Sequence, residues 1–242
     1  MRVTAILLAA GKGKRFKSGV AKPLVKLGKS QIIDYSLKVL ERHPKVTEII
    51  LVVNSGNIKP IATLVKKSGC KKVRELVLGG ARRQDSVFNA LNKVSPQSQL
   101  VLIHDSARPF VKLLEISVLI TRAAKTGAAI LGVPVKATIK QVTRSQGHKV
   151  TGNFTVERTL DRDCLWEIQT PQVFRKNLLF KAYRKFKDVD VTDDAAMVEK
   201  LKKRVDLIKG SYDNIKITTP EDLIIAEAII KARACLPAGR EN

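Results

Sequence analysis

Short apolar runs alternate with helix-like segments through most of the chain. The runs are rich in Val, Ile and Leu, and runs this short and this apolar are typical of strands that are buried on both faces. We predict strands at residues 3–8, 48–53, 73–78, 100–104 and 128–135. We predict helices at residues 30–42, 58–67, 84–93 and 113–125.

This alternation of strands and helices predicts an α/β fold, in which a mainly parallel, twisted sheet is flanked by helices. In such sheets ligands bind beyond the carboxyl ends of the strands. The residues that carry chemistry are therefore expected in the loops that directly follow the predicted strands.

The pattern changes at Lys136, where two segments of alternating polarity replace the buried runs. We predict a protruding β-hairpin arm at about residues 137–156, with strands at 137–142 and 148–156. An isolated hairpin is only marginally stable in water. We therefore expect the arm to pack on a second copy of the chain in a homodimer.

From Trp166 the α/β pattern resumes, and it ends with a helix at residues 220–234. Pro220 suits the first position of this helix, because its fixed backbone angle matches the first turn and no donor is lost there. We expect residues 1–235 to form a single domain with the arm inserted in it. Residues 236–242 are predicted to be a flexible tail.

Composition limits the class of protein. The 242 residues suit one domain with a substantial core. No apolar run approaches the ~20 residues of a membrane-spanning helix, and we interpret the apolar N-terminal stretch as a buried strand rather than a signal peptide. Cys70, Cys164 and Cys235 have neither a disulfide nor a zinc spacing, so we expect a cytoplasmic protein.

The net charge of +23 raises the question of nucleic-acid binding. The lysines are dispersed over many segments, and only 5% of the residues are aromatic, which is poor for stacking on single strands. Nucleic acid is therefore the less favoured partner. A basic, non-catalytic nucleic-acid-binding protein stays an alternative.

The strongest local motif directly follows the first predicted strand. It reads Leu8-Ala9-Ala10-Gly11-Lys12-Gly13-Lys14-Arg15-Phe16. Small residues let backbone N–H groups approach a ligand closely, while Arg15 and the nearby Lys22 add positive charge where phosphates would lie. The spacing fits neither a dinucleotide fingerprint nor a P-loop. The alternative interpretation is a solvated basic loop.

Two more motifs lie beside predicted strands. Asp105 and Arg108 follow a buried strand, where they could hold a metal ion and a phosphate, or form a structural pair. The turn at Gly79-Gly80 leads into a predicted helix, whose N-terminus could attract an anion or read the edge of a base. We expect His104 to be a packed histidine and assign it no role.

Together these motifs resemble those of the 2-C-methyl-D-erythritol 4-phosphate cytidylyltransferase family. Further matching segments are Thr159-Leu160-Asp161-Arg162, Gln169-Thr170-Pro171-Gln172, Thr192-Asp193-Asp194 and Asp213-Asn214-Ile215-Lys216-Ile217-Thr218. The resemblance covers about residues 3–230, in order. It implies a Rossmann-like nucleotidyltransferase fold and an enzyme of isoprenoid precursor synthesis that transfers CMP from CTP to methylerythritol phosphate, releasing pyrophosphate.

The resemblance also implies roles for individual residues. The side chains that it makes catalytic are Arg15, Lys22, Arg162 and Lys216. The residues that it places around the nucleotide are Ala9, Ala10, Gly11, Gly13, Gly80, Arg83, Ser86 and Asp105. The residues that it places around the polyol phosphate are Asp105, Arg108, Thr138, Arg162, Thr170, Thr192 and Lys216. Mg²⁺ is expected to accompany the CTP phosphates, with Asp105 as its protein ligand.

The nearest alternative is a ribitol 5-phosphate cytidylyltransferase, which is similar in most of these motifs and in the arm. The run His104-Asp105-Ser106-Ala107-Arg108 favours the methylerythritol enzyme, because the ribitol enzymes tend to carry Val before that arginine. Other nucleotidyltransferases stay more distant alternatives.

Overall fold

The computed structural model describes residues 1–11, 20–144 and 154–235. Its strands are β1 (Val3–Leu8), β2 (Lys26–Leu27), β3 (Ser30–Gln31), β4 (Val46–Val53), β5 (Val73–Leu78), β6 (Leu100–Asp105), β7 (Ala128–Pro134), β8 (Lys140–Arg144), β9 (Phe154–Thr159), β10 (Trp166–Arg175) and β11 (Asp206–Lys209). Its helices are α1 (Ile32–Arg42), α2 (Ile58–Ser68), α3 (Arg83–Leu91), α4 (Leu113–Thr126), α5 (Lys176–Lys185), α6 (Asp194–Glu199) and α7 (Pro220–Cys235). Outside the arm, the strands and helices predicted from the sequence are all confirmed.

Seven of the described strands form the central sheet, in the order β11-β7-β10-β6-β1-β4-β5. Neighbouring strands are parallel except at β10, which runs antiparallel to both β6 and β7. The mainly parallel α/β sheet is therefore confirmed. The chain places β4 and β5 on one side of β1 and then crosses to β6 on the other side, so the loops after β1 and β6 leave a crevice between them.

Alternate side chains of the sheet pack against helices on its two faces. In β1, Ala5 and Leu7 face the layer that contains α1, α2 and α4, whereas Ile6 faces the layer of α3, α5 and α6. All three side chains are fully buried. Burial on both faces explains why the strand sequence is apolar at every position but Thr4, and burial of a side chain such as Leu contributes roughly 2 kcal/mol to stability.

The last helix covers a smaller apolar cluster. Ala226 of α7 packs with Phe110 and Ile217. Asp222, in the first turn, accepts hydrogen bonds from backbone N–H groups just before the helix, where a negative charge is favourable. Because Ile217 directly follows Lys216, the cluster anchors the segment that carries this lysine.

The predicted hairpin arm is present, but the bounds predicted for its strands are corrected. β8 and β9 pair with each other, and the ladder joins Lys140 to Thr159 and Val142 to Val156. Residues 137–139 precede the first strand, and the second strand continues beyond residue 156. Alternating polarity begins before the first strand of the ladder and stops before the second strand ends, and therefore does not mark the ends of the ladder.

Part of the predicted arm, at residues 145–153, lies outside the described residues, and so does the predicted tail at residues 236–242. The single-domain organisation of the chain stays a prediction. None of the helices in the described ranges is long and apolar enough to cross a membrane.

Candidate active site

A cleft of about 540 Å³ lies at the carboxyl ends of β1, β5 and β6. Parallel strands bring the loops after their carboxyl ends to one edge of the sheet, which is why distant motifs meet here. The predicted site residues that line the cleft are Ala9, Ala10, Gly11, Lys22, Gly80, Arg83, Ser86, Asp105 and Lys216. Two further predicted residues, Gly13 and Arg15, lie outside the described residues.

The main chain at Ala9 and Ala10 is held by two asparagines from the loop after β4. Asn57 Nδ2 donates a hydrogen bond to the carbonyl of Ala9 at 2.9 Å, and Asn54 Nδ2 donates one to the carbonyl of Ala10 at 3.1 Å. These contacts fix the chain where it enters the glycine-rich loop. Neither asparagine was predicted from the sequence, although their position just after a predicted strand was an available signal.

The turn after β5 approaches its neighbours so closely that it requires glycine. A Cβ atom on Gly79 would lie 2.6 Å from the Cβ of Ala10, and one on Gly80 would overlap Asp85. The N–H group of Gly80 donates to Ser86 Oγ at 3.0 Å, which ties the turn to α3. The main chain of this turn therefore forms one wall of the cleft, directly beside Ala10.

Asp105 is the acidic centre of the cleft. Its Oδ2 lies 2.5 Å from Lys216 Nζ, and its Oδ1 lies 3.4 Å from Arg83 Nη2. Burial alone would raise the pKa of Asp105, but the charges of Arg83 and Lys216 outweigh burial and hold this pKa well below its usual range. Among the described residues that line the cleft, Asp105 is the only acid. An ionised carboxylate thus lies within a positively charged site.

His104 and Thr170 hold the main chain around Asp105. The N–H group of Asp105 donates to Thr170 Oγ1 at 3.0 Å, and His104 Nε2 lies 3.0 Å from the carbonyl oxygen of Arg108. Because a carbonyl only accepts, we assign the ring proton to Nε2. Thr170 is itself buried and does not line the cleft. The packed histidine expected from the sequence therefore has a supporting role.

Two cations bind carbonyls of the segment between β11 and α7. Lys22 Nζ donates to the carbonyl of Ile217 at 3.0 Å, and Arg108 Nη1 donates to the carbonyl of Asn214 at 2.6 Å. Burial lowers the pKa of Arg108. Both contacts attach the Lys216 segment to the rest of the site, and Arg108 lies behind the cleft rather than in its lining.

Three residues predicted to bind the polyol phosphate are exposed and lie outside the cleft, namely Thr138, Arg162 and Thr192. Arg162 Nη1 donates to the carbonyl of Lys136 at 3.2 Å, at the base of the arm. Within one copy of the chain, none of these three residues contributes to the lining of the cleft around Asp105. Their predicted roles stay predictions.

A second buried acid contacts the cleft from behind. Asp194 has no exposed surface, and its Oδ2 lies 2.8 Å from Arg83 Nη2. The motif Thr192-Asp193-Asp194 was recognised in the sequence, but a role was predicted only for Thr192. The sequence signal for Asp194 was an acid at the start of a helix. Such an acid more often stabilises the helix terminus through its charge than it contributes to a site.

The sequence matches the family model described as 2-C-methyl-D-erythritol 4-phosphate cytidylyltransferase over residues 3–232. A relative of that name from Geobacillus kaustophilus is 44% identical over 235 residues, which cover 96% of this chain and 99% of the relative. The crystal structure of 4-diphosphocytidyl-2C-methyl-D-erythritol synthase from Anaerococcus prevotii has a TM-score of 0.82 and 32% identity, over 95% of this chain and 96% of that chain.

A second solved structure, of 2-C-methyl-D-erythritol 4-phosphate cytidylyltransferase from Thermus thermophilus, has a TM-score of 0.75 and 29% identity. It covers 96% of this chain and 100% of that chain. The matches thus extend over the sheet, the arm and the segments that form the cleft. The chain belongs to the 2-C-methyl-D-erythritol 4-phosphate cytidylyltransferase family.

Proposed function

We propose that the cleft transfers CMP from CTP to 2-C-methyl-D-erythritol 4-phosphate, giving 4-diphosphocytidyl-2-C-methyl-D-erythritol and pyrophosphate. The observation that carries the proposal is one ionised acid, Asp105, beside Arg83 and Lys216 at the carboxyl ends of the strands. Cations grouped around one carboxylate suit two highly anionic substrates and a metal ion. Membership of the family identifies the substrates, in a step of the non-mevalonate isoprenoid pathway.

The reaction needs positioning and charge neutralisation more than proton transfer. An oxygen of the acceptor phosphate attacks the α-phosphorus of CTP, and the bond from that phosphorus to its bridging oxygen breaks, so that pyrophosphate leaves with the electron pair. The second pKa of a phosphate monoester is about 6, so the attacking group needs no base at neutral pH. Fixed cations offset the repulsion between the reactants as they approach.

The nucleotide end of the site is proposed to lie between the loop after β1 and the turn after β5. The fixed main chain at Ala10 and Gly80 would contact the cytidine, and Ser86 would hold the turn in place. Lys22 and Arg15 would grip the triphosphate. The support is the close packing of the two loops and the position of Lys22 in the lining.

The acceptor end is proposed to be completed by a second copy of the chain. On the arm, Val142, Phe154 and Val156 are 45%, 63% and 55% exposed. Among the described strands, β8 and β9 pair only with each other, and a lone hairpin is marginally stable. A homodimer would cover this apolar face and bring the base of the arm, with Thr138 and Arg162, to the partner's polyol phosphate.

Asp105 fits a Mg²⁺ site of the kind that substrate phosphates complete. Mg²⁺ usually takes one or two carboxylates plus phosphate oxygens and waters. The described residues contain no cluster of three or more acidic, histidine or cysteine side chains that could hold a metal by themselves. When bound, the ion would neutralise charge on the triphosphate. Chelation should abolish turnover, and Asp105→Asn should raise the Mg²⁺ concentration needed for half-maximal rate.

Pyrophosphate release tests the proposal directly. The protein is incubated with CTP, ATP or UTP and with either 2-C-methyl-D-erythritol 4-phosphate or ribitol 5-phosphate. We expect turnover with CTP and the methylerythritol substrate. A clear preference for ribitol 5-phosphate would instead favour the ribitol enzyme. Salt-dependent retention on DNA without any CTP turnover would favour a nucleic-acid-binding protein.

The compartment also stays a proposal. Cys70, Cys164 and Cys235 all carry free thiols, which agrees with a reducing cytoplasm.

A further inference from the structure

Three consecutive residues at the start of α3 reach across to the segment that leads into α6. We call this segment, residues 187–194, the brace. The contacts join Arg82 Nη1 to Asp190 Oδ1 at 2.7 Å, Arg83 Nη2 to Asp194 Oδ2 at 2.8 Å, and Gln84 Nε2 to the carbonyl of Val189 at 2.8 Å. Because the glycine turn that lines the cleft directly precedes these residues, the brace is attached to one wall of the cleft.

The brace ends in an acid that is fully removed from water. Asp194 is 0% exposed, and its Oδ1 accepts a hydrogen bond from the hydroxyl of Tyr183 at 2.5 Å. Tyr183 is fixed in turn, since its ring stacks on Phe88 of α3 with the ring centres 6.2 Å apart. Burying a carboxylate is costly unless it is well paired. Oδ1 of Asp194 is therefore hydrogen-bonded to Tyr183, while Oδ2 has Arg83 as an ion-pair partner at 2.8 Å but no hydrogen-bond partner among the described residues.

Arg83 lies between two acids at unequal distances. Its Nη2 is 2.8 Å from Asp194 Oδ2, whereas its Nε and Nη2 both donate long hydrogen bonds to Asp105 Oδ1 at 3.4 Å. We propose that Asp194, oriented by Tyr183, is a positioning residue that holds Arg83 back from Asp105. This inference rests on the proposed function, in which the carboxylate of Asp105 serves the nucleotide and its metal ion.

Removing the carboxylate of Asp194 changes the balance of charges around Arg83. Without the carboxylate of Asp194, Asp105 is the remaining ion-pair partner of the Arg83 guanidinium among the described residues. A planar guanidinium forms close, two-pronged pairs with a carboxylate, so Arg83 would close on Asp105 and occupy the oxygens that the nucleotide site requires. CTP binding should therefore suffer more than the chemical step.

The steady-state kinetics of the Asp194→Asn variant test whether Asp194 positions Arg83. We expect the KM for CTP to rise about tenfold, while kcat and the KM for the polyol phosphate change by less than about threefold. Tyr183→Phe keeps the stacked ring and should shift the KM for CTP in the same direction by a smaller factor. The matched control is Asp193→Asn, which removes the same charge one residue earlier. Asp193 caps α6 through the N–H group of Ala196, and its variant should leave the KM for CTP unchanged.

A double-mutant cycle separates positioning from general loss of structure. If Asp194 acts through Arg83, then Asp194→Asn should have no further effect on the KM for CTP in an Arg83→Ala background. Additive effects, or an unchanged KM for CTP in a folded Asp194→Asn protein, would overturn the inference. If Asp194→Asn does not fold, Tyr183→Phe replaces it in the cycle with Arg83→Ala. The inference then requires that Tyr183→Phe has no further effect on the KM for CTP in the Arg83→Ala background. An unmodified protein without CTP turnover would refute the proposed function, whereas normal turnover with unshifted variants would refute only the role of Asp194.

Discussion

The hydroxyl of Thr170 lies 3.1 Å from Nδ1 of His104, and this contact joins β10 to the end of β6. The ring has no exposed surface. Burial lowers the pKa of His104 to about 4, and the charge of Arg108 also lowers it, whereas the charge of Asp105 raises it. A neutral imidazole is therefore part of what holds the main chain at the acidic centre of the site.

This histidine should make the protein sensitive to acid. Between pH 6.5 and about 4, the unfolded chain binds a proton at His104 that the folded chain does not, so the free energy of unfolding falls as the pH falls. The full loss from this group is about 3 kcal/mol. Urea unfolding at a series of pH values should show this slope, and His104→Asn should be less stable at pH 7 but have a flatter slope.

His43 adds to the acid slope of both proteins, because burial and the nearby Lys72 and Lys45 lower its pKa as well. The contribution of His104 is therefore the difference between the pH slopes of the unfolding free energy in the unmodified protein and in His104→Asn. Equal slopes in the unmodified protein and in His104→Asn would contradict the prediction.

The triphosphate assignment predicts large losses of rate at two positions. Lys22→Ala and Arg15→Ala should each lower kcat by a factor of about 100 or more, because losing one charge aimed at the transition state typically costs about 3 kcal/mol. Lys26→Ala is a matched control, since Lys26 is exposed on a neighbouring strand. Near-normal turnover in both of the first two variants, with unchanged thermal midpoints, would remove these residues from the mechanism.

The acceptor assignment predicts a selective effect at Arg162. Arg162→Ala should raise the KM for the polyol phosphate about tenfold or more and leave the KM for CTP nearly unchanged, because Arg162 lies at the base of the arm and outside the cleft. Arg158→Ala offers a control on β9, where Arg158 is exposed and binds Gln141. An equal loss of CTP affinity in Arg162→Ala would show that the two ends of the site are not separate.

The arm predicts the state of assembly. Phe154→Ser combined with Val156→Ser removes two exposed apolar side chains from β9 and should give a folded monomer with little activity, as measured by sedimentation velocity at micromolar concentration. Ile224→Ser is the control, since Ile224 is 71% exposed on α7, away from the arm. If the unmodified chain sediments as a monomer and still turns over CTP, the site is not shared between copies.

Much of the fold is determined locally. Largely apolar runs such as Val3–Leu8 report burial on both faces, because a polar side chain in a strand covered by two helical layers needs a buried hydrogen-bond partner, as Thr4 has in Ser98. The order of strands and helices then restricts the topology to a mainly parallel sheet. The motifs of the cleft could be found in the same way, since the functional loops directly follow the strands.

Contacts between distant segments were decided only by the tertiary structure. The sequence indicated that the α/β pattern resumes at Trp166. It did not indicate that β10 would insert between β6 and β7 and run antiparallel to both. Periodicity reports which face of a strand is buried, but not which strand is its neighbour.

The sequence by itself therefore determined the family, the strands and the loops that carry the cations. The tertiary structure alone decided that Asn57 holds Ala9, that Thr170 supports Asp105 and that Asp194 reaches Arg83. In each pair the two residues are far apart along the chain. Their partnership depends on the geometry of packed layers, and no local pattern of hydrophobic and polar residues encodes that geometry.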